Sequence, residues 1–94
     1  MVKVNEYFDG NVKSLSFQNC AGQETVGVMK PGEYTFNTGL KEIITIVSGA
    51  MTIQFEDSDE WELFEKFQSF DVPANSSFKL KIVADTAYLC QFVG

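Results

Sequence analysis

The chain is cut into short runs of alternating residues, and that period of two limits it to β architecture. In "FKLKIV" (78–83), Phe78, Leu80 and Ile82 alternate with Lys79, Lys81 and Val83. One face is therefore apolar and the other largely cationic. "VKSLSF" (12–17), "TVGVM" (25–29), "EYTFNT" (33–38), "EIITIVSG" (42–49), "AMTIQFE" (50–56), "WELFEKF" (61–67) and "AYLCQFV" (87–93) also read as strands. All are rich in Val, Ile, Thr and aromatic residues, which suit a pleated, half-buried surface. Only "WELFEKF" has a spacing that fits one or two helical turns as well. Eight such segments, roughly ten residues apart, predict a sandwich or closed barrel of packed antiparallel sheets.

The intervening residues are turn formers. Pro31 and Gly32 in "KPGE" suit a type II turn, and "SGAM" (48–51) reads as a hairpin corner at Gly49. "EDSDEWE" (56–62) crowds five carboxylates into seven residues and must be a solvated hairpin tip. It lacks the ligand spacing of a calcium loop. Asp71, Pro73, Asn75, Ser76 and Ser77 predict a tight reversal ahead of the strand at Phe78.

With 94 residues the chain is expected to form a single domain, 1–94. Its net charge is −6, and all seven basic residues are lysine. That argues against a nucleic-acid groove, which needs basic density and arginine forks. No apolar run approaches the roughly 20 residues of a membrane span. The start "MVKVNEYFDG" has no apolar signal region, so a cytoplasmic location is expected. Cys20 and Cys90 fit no metal or redox spacing and read as free thiols. Cys90 looks like a small core residue and Cys20 like a loop residue. Neither has a histidine to activate it as a nucleophile, because the chain contains none.

Two stretches carry chemistry. "PGEYTFNTGLKEIITIVSG" (31–49) joins a Pro-Gly turn, alternating aromatics, Glu42 and Gly49, and "VPANSSF" (72–78) leads into a strand. The pair resembles the two signature motifs of the cupin superfamily, small jelly-roll barrels. Metal-bearing cupins place histidines and a glutamate there. Here Glu42 holds the acidic place, Phe36 and Thr38 fall near two histidine places, and Phe78 takes the last. One carboxylate cannot assemble the ligands of a catalytic metal site, so a cupin without a metal is expected.

Across its whole length the chain resembles the pyrimidine/purine nucleoside phosphorylase family of bacterial cupins. "NEYFDGNVKSLSF", "VGVMKPGEYTF", "VSGAM", "FDVPANSSFKL" and "YLCQFV" carry the likeness. It implies phosphorolysis of purine and pyrimidine ribonucleosides to free base and α-D-ribose 1-phosphate, by a homodimer without a cofactor. It also implies an arginine where this chain has Gln91, a substrate-binding candidate.

Such a reaction must hold phosphate, stabilise positive character on the ribose and ease departure of the base. Lys41, Ser76 and Ser77 are the phosphate candidates, since no arginine or histidine is present. Glu42 is the catalytic candidate, by binding ribose hydroxyls, stabilising the cationic sugar or protonating the base. Tyr34, Phe36, Phe78 and Tyr88 are expected to form a stacking wall, with Thr38 beside them. Tyr34, Phe36, Thr38, Glu42 and Phe78 are expected to face one cavity, because alternate residues on a strand point the same way. A non-enzymatic small-ligand binder or structural dimer on the same barrel remains open, since no nucleophile–base pair is visible.

Overall fold

A computed structural model describes all residues, 1–94, as ten strands and no helix. In chain order these are β1 (Lys3–Tyr7), β2 (Val12–Asn19), β3 (Gly22–Met29), β4 (Gly32–Asn37), β5 (Lys41–Ser48), β6 (Ala50–Phe55), β7 (Glu62–Glu65), β8 (Ser69–Val72), β9 (Ser77–Ile82) and β10 (Thr86–Val93). One sheet has six strands in the order β1-β2-β3-β10-β5-β8, and the other has four, β4-β9-β6-β7. Every pairing is antiparallel. The architecture is an all-β barrel of two packed antiparallel sheets, as the alternation predicts, and of the jelly-roll type that the cupin resemblance implies.

The period of two sets what each strand buries. In β9, Phe78, Leu80 and Ile82 are buried while Lys79 and Lys81 are exposed. In β10, Thr86, Tyr88 and Cys90 are buried. Ile44 and Ile46 of β5 and Met51 and Ile53 of β6 complete a core contributed by both sheets. Burying each such aliphatic side chain is worth about 1.5–3 kcal/mol.

Four local expectations need correction. β1 and β8 are strands that the residue pattern did not announce. Asp71 and Val72 finish β8, held by the ladder Glu42↔Val72 and Ile43↔Asp71, and the reversal starts only at Pro73. Gly49 is no hairpin tip, because β5 and β6 lie in different sheets. Its φ of +88° turns the chain from one sheet to the other, and a Cβ there would lie 2.5 Å from Thr86 Oγ1. Gly32 has φ +157°, far from the roughly +80° of a type II turn. The acidic segment does join two paired strands, β6 and β7, and is mostly exposed.

Candidate active site

The inward residues of the six-stranded sheet leave a cavity of about 280 Å³ against β4 and β9. Phe36, Phe78 and Phe92 form its apolar wall, and Glu42 is its one carboxylate. Tyr7, Ser14, Thr25, Asn37, Tyr88 and Cys90 supply the polar atoms. Phe36 and Phe78 stack with ring centroids 5.9 Å apart across the β4–β9 ladder. Tyr7 packs edge-on against Phe36, and the neighbouring Phe8, in the left-handed conformation, covers Tyr34 and Phe36. The β1–β2 turn thereby closes one side of the cavity.

Strand register explains the polar lining. The pairs Ser14↔Gly27 and Gly27↔Tyr88 form one row across β2, β3 and β10. Because Gly27 has no side chain, the Tyr88 ring lies across it, on the row that Ser14 shares. The Asn5 amide donates to Ser14 Oγ at 3.2 Å and to Ser16 Oγ at 2.9 Å. Burial pushes the Tyr88 phenol up to about 12, with the neighbouring Cys90 and Tyr7 adding to the effect. It therefore stays a neutral donor. The next row holds Thr25 and Cys90, and beside it Phe92 sits opposite Glu42. Burial also raises the Glu42 carboxyl above 4.5, and the Cys90 thiol, donating to Glu42 Oε1 at 3.3 Å, partly opposes that.

Of the ten residues expected in the site, the cavity gathers Phe36, Glu42, Phe78 and Tyr88. The other six lie elsewhere. Tyr34 shares the inward parity of Phe36 but sits further down β4, donating to the Lys30 carbonyl at 2.6 Å. Thr38 follows the last residue of β4, so the alternation no longer governs it. It is buried and ties two loops together. Its hydroxyl donates to Pro73 O at 2.6 Å and accepts from Ser76 N at 2.9 Å. The shared cavity for Tyr34 and Thr38 is thus corrected.

Lys41 precedes Glu42 on β5 and points to the opposite face, where it pairs with Asp71 at 3.5 Å. Gln91 is likewise out of phase with Tyr88 and Cys90, its cross-strand partner being Glu24. Ser76 Oγ donates to Glu56 at 2.9 Å, and Ser77 lines a separate pocket with Glu56 and Asp59. No lysine lines the cavity. Tyr7, Ser14, Asn37, Cys90 and Phe92 are lining residues that the sequence reading missed. For Cys90 and Phe92 the signal was present, since positions 88, 90 and 92 share a parity.

The metal of other cupins does not fit this donor set. Glu42 and Cys90 are the cavity's only Asp, Glu, His or Cys side chains, the histidine places hold Phe36, Thr38 and Phe78, and burial pushes the thiol's ionisation far up. Nowhere do three or more His, Cys, Asp or Glu side chains cluster to hold an ion.

A sequence profile of the pyrimidine/purine nucleoside phosphorylase family matches residues 2–92. The chain belongs to that family. It is accordingly an enzyme, of the glycosyl-transfer class that the family name denotes. It is 55% identical over 94 residues to a Pseudomonas fluorescens protein of that name, covering 100% of both chains. It is 57% identical over 93 residues to one from Aeromonas hydrophila, covering 99% of both. A Vibrio parahaemolyticus crystal structure, described as a protein of unknown function, superposes with a TM-score of 0.96 at 44% identity, covering 99% of each chain. An RmlC-like cupin from Shewanella frigidimarina aligns with a TM-score of 0.73 at 13% identity, covering 97% of this chain and 82% of its own. That likeness establishes the cupin fold alone.

Proposed function

We propose that this cavity carries out phosphorolysis of purine and pyrimidine ribonucleosides, giving free base and α-D-ribose 1-phosphate. The observation that carries this reading is Glu42, a lone carboxylate beside a wall of three phenylalanine rings. In this scheme the base stacks on Phe36 and Phe78, and Glu42 binds the ribose as a carboxylate. As the glycosidic bond breaks, positive character grows on the sugar, and a fixed negative charge in a half-buried site stabilises it. Partial burial of Glu42 strengthens the effect, and the same burial raises its proton affinity.

Broad specificity follows from the kind of wall. Every base has a face to stack, whereas few polar groups are available to read a base edge. Phosphate meets neutral donors here, among them the Asn37 amide and the Thr25 and Tyr88 hydroxyls. Lys41, Ser76 and Ser77 remain outside this scheme because each faces a carboxylate or another surface.

The working form is a homodimer joined by the outer face of the six-stranded sheet. There a row of Val4, Leu15, Val26 and Leu89 crosses four strands, with Val28 and Phe17 beside it. Val4 is 57% and Val28 49% exposed. A second copy of the same face covers such a contiguous apolar surface. The cytoplasm suits two unpaired thiols, Cys20 and Cys90.

The test is a panel of purine and pyrimidine ribonucleosides incubated with pure protein, with and without inorganic phosphate. Base release that requires phosphate and yields ribose 1-phosphate supports the reading. Retention of nucleosides without any turnover favours a ligand-binding role instead.

A further inference from the structure

We infer that Cys90 is a positioning residue, whose thiol aims the Glu42 carboxylate into the cavity and, by donating to it, favours its ionised form. This rests on the reading of Glu42 as the ribose-binding carboxylate.

The geometry comes from two adjacent strands. Glu42 lies on β5 opposite Phe92, and Cys90 lies two residues before Phe92 on β10. The two side chains therefore share the inner face, one cross-strand step apart, and meet diagonally at 3.3 Å. Both line the cavity, and Cys90 is only 4% exposed. The thiol is the hydrogen-bond donor found on the carboxylate, so it fixes one oxygen and leaves the other for a ligand.

A thiol suits this task better than a hydroxyl. It is a weak donor, so it orients the carboxylate without drawing off the charge needed by the sugar. It also keeps its proton, because burial and the neighbouring Glu42 both push its ionisation far up. A protonated thiol cannot act as a nucleophile, and the same proton makes it a permanent donor.

The surroundings leave few other groups to control Glu42. β10 presents Tyr88 as well as Cys90, the β1 end presents Tyr7, and β3 presents Thr25. β4 contributes Phe36 and Asn37, β9 contributes Phe78, and β8 places Val72 opposite. Tyr88, pushed up to about 12, is neutral wherever Glu42 titrates. Lys41 and Asp71 face the other side and neutralise each other.

The test compares the parent with Cys90→Ser and Cys90→Ala by two measurements. One is the acid limb of kcat/KM for a nucleoside with phosphate. The other is the titration of the Glu42 side-chain carboxyl, followed by carbon-13 NMR on the intact chain. Serine is a stronger donor and should move both midpoints down, and alanine, with no donor, should move both up. Each shift should be about half a pH unit or more. Identical midpoints in all three proteins overturn the inference, as does an order other than serine, cysteine, alanine. If the parent releases no base, the proposed activity fails, while the NMR order still decides whether the thiol governs the carboxyl. Should the serine variant not fold, the alanine variant alone must raise the NMR midpoint.

Discussion

A Cβ placed on Gly27 would lie 2.7 Å from the phenol oxygen of Tyr88 and equally close to the Lys13 carbonyl. Gly27 is thus the gap in β3 that the Tyr88 ring of β10 fills, against the Lys13 carbonyl of β2. Gly27→Ala should displace the ring and strain the β2–β3 ladder, at a cost of about 1–3 kcal/mol. Urea unfolding measures it. A variant as stable as the parent would mean that the ring moves aside freely and that its place across β3 is incidental.

Replacing Glu42 by Gln keeps the shape and removes the charge. Turnover should fall at least ten-fold, about 1.4 kcal/mol of transition-state stabilisation. Stability should move the other way. Burial raises the folded value above 4.5, so the folded chain holds this proton more tightly than the unfolded chain. The stabilisation is complete below the unfolded value and is lost as pH rises through the folded one. Glu42→Gln lacks that loss. Its melting temperature relative to the parent should therefore rise from pH 4 to pH 8, and a constant difference would contradict the burial account. The parent's activity should rise over the interval in which its stability declines.

Phe78 is buried, stacks on Phe36 and meets Phe70 edge-on, so it serves the core and the cavity together. Phe78→Ala should cost roughly 3–5 kcal/mol of stability. Phe78→Leu keeps most of the volume but removes the stacking face. It should raise the nucleoside KM while leaving the fold intact. Steady-state kinetics separates the two effects, and an unchanged KM in the leucine variant would remove Phe78 from the base wall.

The barrel was legible because alternation and turn residues are local signals. β1 and β8 were not, since "KVNEY" and "SFDV" have little local pattern and owe their form to partners, Leu15 for Val4 and Glu42 for Val72. The same alternation, applied strictly, would have improved the site. Glu42 cannot share a face with Lys41, nor Tyr88 with Gln91, while Tyr88, Cys90 and Phe92 must go together. Thr38 escaped because it lies just past a strand end, where parity lapses. Tyr7 could not be found locally, since only the fold brings it against Phe36.

Leu15 lies at the middle of the outer apolar row, between Val4 and Val26. Leu15→Glu places a charge there without touching the core. Light scattering should show a dimer for the parent and a monomer for the variant, with melting curves still cooperative. A variant that remains dimeric would move the interface to another surface.

Gln91 tests whether a cation at that position serves phosphate. It projects from the outer face of β10, directly opposite Glu24 and out of phase with Cys90 and Tyr88. An arginine there is drawn to the Glu24 carboxylate across the strand pair, and the sheet backbone separates it from the cavity. Gln91→Arg should therefore leave the KM for phosphate within about two-fold, because a shift of that size is under 0.5 kcal/mol. Placing the cation inside the cavity is the contrasting case. Thr25→Lys should lower the phosphate KM if the side chain is tolerated, since it sets positive charge among the neutral donors. A large fall in phosphate KM for Gln91→Arg would mean that the anion binds on the outer face, within reach of a second copy of the chain.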